Sequence, residues 1–249
     1  MLKERWKRFE KSTWTRRQKV RLKRVVGREP RFREDVGQNK VFSGGWWYDP
    51  TLLDASSIVY SFGVGGTIDF DLELIERTRA TVHAFDPTPV SLETLSAASL
   101  PPLFRFHQVA AAADDGVLRL YPGVRKDGSL SKTMYTLVED ERSRNAMIEV
   151  PAKTVASICE EMAHDKVDLV KLDIEGAEYT VIDQMLASGL RPRQLLVEFH
   201  HRHSGKGVQG TTELVDRVRE AGYRIFALYD TGPEISFILD SEAAAASVH

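Results

Sequence analysis

The sequence is 249 residues long and has one cysteine, Cys159, so an internal disulfide is excluded and the chain fits a reducing compartment. No apolar run approaches the ~20 residues that cross a bilayer. The start is charged throughout, with no apolar segment of the secretory type. The expectation is a cytoplasmic protein, at most peripheral to a membrane. Internal repeats and a low-complexity core are also missing, which excludes repeat arrays. The dinucleotide pattern Gly-x-Gly-x-x-Gly is broken: counted from Gly63, its third glycine falls on Ile68. No Gly-Lys-Ser/Thr phosphate loop follows.

What is present begins with an uneven charge. Residues 1–33 hold 14 Lys or Arg against Glu4, Glu10 and Glu29, a net of +11, leaving −13 for the rest of a chain whose total is −2. A basic arm precedes an acidic body. The arm reads either as a solvated helix docking on its own acidic domain or as a contact for an anionic membrane or nucleic acid. Trp6, Phe9, Trp14, Val20 and Leu22 interleave with its charges. The expected organisation is an arm and aromatic lead-in over 1–55, one domain over 56–240 and a frayed tail over 241–249.

Within the body, short apolar runs alternate with helical stretches. Ile58–Phe62 reads as a strand that runs into Gly63, Gly65 and Gly66, and 68–80 as a helix with acids in its first turn. Thr81–Phe85 is a second strand, closed by Asp86-Pro87, and Phe104–Ala111 a third. Segment 114–150 carries turn signals and some strand, as a loop over the site would. A helix over 153–164, a strand over 168–173, a helix over 178–187 and a strand over 195–199 follow. A helix over 211–221 then has Thr211 or Thr212 as N-cap. Arg224–Leu228 and Ile235–Leu239 face each other as antiparallel strands. The alternation implies an α/β fold with a doubly wound parallel sheet. The closing hairpin departs from nicotinamide-binding sheets, which end on another parallel strand.

In such sheets ligands bind beyond the carboxyl ends of the strands. The turn 61-SFGVGG-66 lets backbone approach a ligand closely. Asp86, 20 residues beyond Gly66, stands where an acid commonly takes a ribose hydroxyl pair, or it opens a turn before Pro87. Together they point to a nucleoside-containing ligand, and the missing pyrophosphate fingerprint points away from a dinucleotide.

The stretches 59-VYSFGVGG-66, 83-HAFDPTP-89, 169-LVKLDIEGAEYTVI-182 and 196-LVEFHH-201 resemble the FkbM family of S-adenosylmethionine-dependent methyltransferases. The most specific block is Lys171 to Glu178, which is similar to the family's K-x-D-x-E-G-x-E run. The resemblance covers roughly 56–240. It implies a Rossmann-like seven-stranded methyltransferase sheet with an antiparallel last strand. It also implies methyl transfer to a hydroxyl oxygen of a small metabolite such as a sugar or polyketide. The family opens its first motif with an acid in the form Asp-x-Gly; here Ser61 stands in that place, and Asp69 or Asp71 further along can substitute. The cofactor contacts implied are Ser61, Gly63, Gly65, Gly66, Asp86, Asp173 and, near the end of the third strand where adenine lies, His107.

Asp173 ends an apolar strand, an expensive place for a carboxylate without a partner. Two roles are open for Asp173, Glu175 and Glu198: electrostatic support of the cationic cofactor, or ligation of Mg²⁺, which takes carboxylate oxygens and lowers the pKa of a bound hydroxyl. Methyl transfer needs positioning and removal of the acceptor's proton. His200 and His201 are both candidates for the base, and strand alternation sends them to opposite sides. Lys132 and His203 are further candidates. The cluster 46-WWY-48 reads as core packing or as a lid over the acceptor. A binding protein that has lost turnover, docking through the arm, and a dehydrogenase are the competing classes.

Overall fold

The computed structural model describes residues 18–125, 127–201, 205–229 and 233–240. The expected tail over 241–249, His203 and the arm's Trp6, Phe9 and Trp14 lie outside them.

Helix α1 covers residues 18–25 of the basic arm. β1 (Val41–Ser43) and β2 (Trp46–Tyr48) form a hairpin across Gly44-Gly45, both at positive φ as a tight two-residue turn demands. Then β3 (Ile58–Phe62), α2 (Asp69–Thr78), β4 (Thr81–Phe85), α3 (Pro89–Ser96) and β5 (Phe104–His107) alternate. β6 (Ala110–Ala111), β7 (Gly116–Val124), β8 (Leu130–Thr136) and β9 (Ile148–Lys153) make a separate four-stranded sheet of order β6-β9-β7-β8. Alternation resumes with α4 (Val155–Glu161), β10 (Leu169–Leu172), α5 (Glu178–Ala187), β11 (Gln194–Glu198) and α6 (Gly207–Glu220). It closes on β12 (Tyr223–Leu228) and β13 (Glu234–Leu239).

The main sheet has seven strands in the order β12-β13-β11-β10-β3-β4-β5. β11, β10, β3, β4 and β5 are parallel, and β13 joins β11 antiparallel. Strand order reverses between β3 and β10, so the switch point, where such folds place their ligands, lies at the carboxyl ends of these two strands. Both are buried on both faces, with Val59, Tyr60, Leu169, Val170 and Leu172 at zero exposure. That explains their unbroken apolar runs. One face packs on α4, α5 and α6 and the other on α2 and the hairpin. Each fully buried Val or Leu contributes roughly 1.5–3 kcal/mol.

Three expectations need correction. The third strand splits, because β6 leaves the main sheet to pair with β9. Segment 114–150 is a β-sheet, with β7 paired to β8 and β9, where turn signals suggested a loop with some strand. Helix α6 starts at Gly207, and Thr211 and Thr212 are inside it. Their hydroxyls donate to the carbonyls of Gly207 (3.1 Å) and Val208 (3.0 Å) and cap nothing. Helix α3 escaped the sequence reading, although Pro89 stands at its first position as prolines often do.

The lead-in is stitched to the body. Asp35 takes two hydrogen bonds from Arg219 (2.9 and 2.8 Å) and one from the Ile225 amide (2.9 Å). The Gln194 side chain bonds both backbone groups of Asp49. Trp46 and Tyr48 are in the core, Tyr48 edge-on to Phe70 at 5.6 Å. Of the two readings of 46-WWY-48, packing is the one observed for these two residues.

Candidate functional site at the sheet's switch point

An open cleft of ≈ 780 Å³, open solvent included, lies over the carboxyl ends of β3, β4 and β10. Its floor includes Gly63, Gly65, Phe85, Asp86, Ala110, Ala111, Asp173 and Glu175. Leu118 and Leu120 of β7 and Tyr135 of β8 form its roof. Of the cofactor residues expected from sequence, Gly63, Gly65, Asp86 and Asp173 line it. Gly66 is exposed beside it, and Lys132 is exposed on β8.

Gly63 is fixed by a close approach. Its φ is +88°, its amide donates to the Phe85 carbonyl (2.9 Å), and a Cβ there would collide with the Asp173 carbonyl oxygen. The glycine turn and the acidic turn therefore touch through backbone. Asp86 clasps the glycine turn: one carboxylate oxygen accepts from the amides of Val64 and Gly65 (2.9 Å each). The other accepts from the amide and hydroxyl of Thr88 (2.8 and 2.5 Å). A carboxylate has about four lone-pair sites, and all are engaged.

Ser61 is wholly buried under the turn, away from the cleft lining. Beside it lies the buried Asp71, whose carboxyl is pushed up by burial and held back by Lys171 and Ser61. Asp69 is exposed. Lys171, also buried, donates to the Gly63 carbonyl (2.9 Å) and sits 5.0 Å from the Trp46 ring centre. In the linear sequence this lysine stands only as part of a motif, and the burial that makes it a support for the turn has no signal there.

His107 stands apart from the cleft lining. Its ring stacks on Phe85 (4.8 Å) and on His83 (5.2 Å), and its Nε2 lies 3.0 Å from His83 Nδ1. The small Ala110 and Ala111 line the cleft instead. His164 completes a histidine group, bonded to the Tyr60 hydroxyl (2.7 Å). Burial pushes the imidazolium form of all three down, His83 to about 4 with help from His164 and His107.

At the acidic end, Glu175 adopts φ +51° and Gly176 φ +109°, a turn that aims both flanking amides inward. The buried Glu178 collects them: its Oε1 accepts from Ile174 (3.2 Å), Gly176 (3.1 Å) and His200 Nδ1 (2.6 Å). His200 Nε2 then faces Asp173 (3.8 Å), Glu175 (3.6 Å) and Glu198 (3.7 Å). Burial alone would lower the His200 pKa, but the Glu178 hydrogen bond and the surrounding carboxylates raise it to about 9. Glu198 is pushed up to about 7 by burial and by the negative charge of Asp173 and Glu234. Glu175 is also raised by burial, against the pull of His200.

His201 faces the other way, as strand alternation requires. It is buried against Glu29 of the lead-in (3.3 Å) and its imidazolium is disfavoured by burial. Of the two histidines, only His200 joins the carboxylates. Ligand atoms of Asp173, Glu198 and His200 lie within 4.8 Å of one another, so among the described residues the converging trio has His200 where the sequence suggested Glu175.

The family model described as "Methyltransferase FkbM domain" matches residues 35–225. No curated protein matches the chain. Among solved structures, an rRNA methylase from Streptococcus thermophilus is similar at 11% identity and a TM-score of 0.41, over 77% of this chain and 90% of that one.

Proposed function

The chain belongs to the FkbM methyltransferase family, and on that premise we propose that it uses S-adenosylmethionine to methylate a hydroxyl oxygen of a small metabolite, of the sugar or polyketide kind. The observation that carries this reading is the joining of a glycine-turned cleft to a carboxylate–imidazole group at one switch point. Phe85, Ala110, Leu118 and Leu120 give the cleft flat apolar walls, which suit an adenine ring. Gly63 and Gly65 leave room for a ligand against backbone. Asp173 and Glu175 bring negative charge to the cleft, which suits a sulfonium and an α-amino group.

When bound, S-adenosylmethionine would supply an electrophilic methyl carbon to the acceptor oxygen with S-adenosylhomocysteine as the leaving group, and the acceptor's proton would pass to the protein. His200 is a poor recipient, because with its pKa at about 9 it is already protonated at neutral pH. We assign proton acceptance to Glu198 and give His200 the role of the cation that holds Asp173, Glu175 and Glu198 together. Asp86, saturated by backbone and Thr88, is assigned to holding the glycine turn in place of a ribose contact. Mg²⁺ prefers all-oxygen ligand sets, so a trio containing an imidazole does not fit it well.

The test is calorimetric titration with S-adenosylmethionine, S-adenosylhomocysteine and NAD, followed by an acceptor screen that reads S-adenosylhomocysteine production. Micromolar binding of the first two, weakened in Asp173→Asn, is expected. Glu198→Gln should lower kcat by about 10²-fold or more with cofactor affinity unchanged. Binding of NAD alone would overturn the reading. Activity that vanishes with a chelator and returns with Mg²⁺ would overturn the metal-free route.

A further inference from the structure

Helix α1 turns the wrong face outward for a helix belonging only to this domain. Leu22, Val25 and Val26 lie at i, i+3 and i+4, one stripe of a helix and its first following residue, and are 64%, 68% and 58% exposed. The other side faces the body. Val20, Lys23 and Arg24 are half-buried there, the Arg24 carbonyl accepts from Arg31 (2.6 Å), and Lys23 approaches Glu29 (4.0 Å). Exposed Lys19, Arg21 and Arg28 flank the stripe, and residues 18–28 hold five basic side chains and no acid.

We propose that this face of α1 docks the protein on an anionic lipid surface. A solvent-facing apolar stripe bordered by cations is the pattern of a helix lying in a bilayer interface, with apolar side chains at the acyl boundary and cations among headgroups. The sequence ahead of it, with Trp6, Phe9 and Trp14 among seven further Lys or Arg before residue 18, has the composition such an anchor uses. Charge complementarity alone would suit nucleic acid as well. Phosphate backbones gain nothing from Leu22, Val25 and Val26, however, and a lipid surface does. No helix of the described residues is long and apolar enough to cross a membrane, so the contact is with the surface.

Cosedimentation of the full chain with vesicles of phosphatidylcholine, with or without phosphatidylglycerol, tests this. Binding to the anionic vesicles alone, falling as salt rises, is expected. The triple variant Leu22→Gln, Val25→Gln, Val26→Gln should lower the partition coefficient at least about tenfold, with the melting midpoint unchanged. A second variant, Arg21→Gln with Arg28→Gln, should weaken binding and flatten its salt dependence, and it keeps the question decidable if the first misfolds. Absence of vesicle binding, or triple-variant binding equal to wild type, overturns the proposal. So does tight RNA binding without vesicle binding. A lower melting midpoint of a folded triple variant, or loss of a dimer, would show that the chain or a second copy covers the stripe, and would also overturn it.

Discussion

Glu178 does more than its place in the first turn of α5 requires. By gathering two amides and His200 on one oxygen it fixes the acidic turn and favours the protonated form of its neighbour in the same act. Glu178→Gln should therefore drop the His200 pKa well below about 9, read by NMR titration of the imidazole carbons; an unchanged value would assign the raised pKa to the outer carboxylates alone. Gly63 is the second residue whose identity is forced. Gly63→Ala combines an unfavourable φ with a collision against backbone, so a loss of roughly 3 kcal/mol or more in chemical denaturation is expected.

At the scale of elements, the loop between β3 and α2 is held by the loop between β4 and α3. Asp86→Ala removes the acceptor shared by the Val64 and Gly65 amides. Hydrogen exchange at those amides should quicken in the cofactor-free protein, and S-adenosylmethionine affinity should fall by about tenfold or more. Loss of affinity with unchanged exchange would restore the direct ribose contact. The strands of the main sheet were legible because burial on both faces writes itself as short apolar runs, and the terminal pair because its two halves flank a turn. The site was legible in part: Asp173 and the separation of His200 from His201 follow from strand ends and alternation. The saturation of Asp86 was not, since its amide partners lie 21 and 22 residues away and only the folded turn brings them in. His107 lies outside the cleft lining for a related reason: β5 ends there, before the alanines that line the cleft.

For the whole molecule, pH acts on two histidine populations with opposite sign. His83, held down to about 4, and the likewise lowered His107 and His164 stay neutral in the fold, while unfolded histidines protonate below about 6.5. Their share of stability is present above that pH and is lost as pH falls toward 4. His200 keeps a proton that the unfolded chain releases, so its share is present below about 6.5 and is lost as pH rises through about 9. Glu198, raised to about 7, opposes the first group between its ordinary range and 7. His83→Gln should flatten the stability slope between pH 4 and 6.5, and His200→Gln the slope between 6.5 and 9, in denaturant titrations at stepped pH. If the slopes do not change, these histidines do not govern the profile.

The roof of the cleft begins and ends in the same place. Ala110 and Ala111 of β6 lie beside Ala152 and Lys153 of β9 in parallel register, so everything between them leaves the domain and returns within one strand spacing. Such a detour is an exchangeable cassette. Its tip can lengthen, shorten or be replaced by a relative's without altering a single pairing of the seven-stranded sheet. Chimeras cut at that seam would exchange the roof of the cleft, Leu118, Leu120 and Tyr135 with it, while the pairings of the seven-stranded sheet stayed the same.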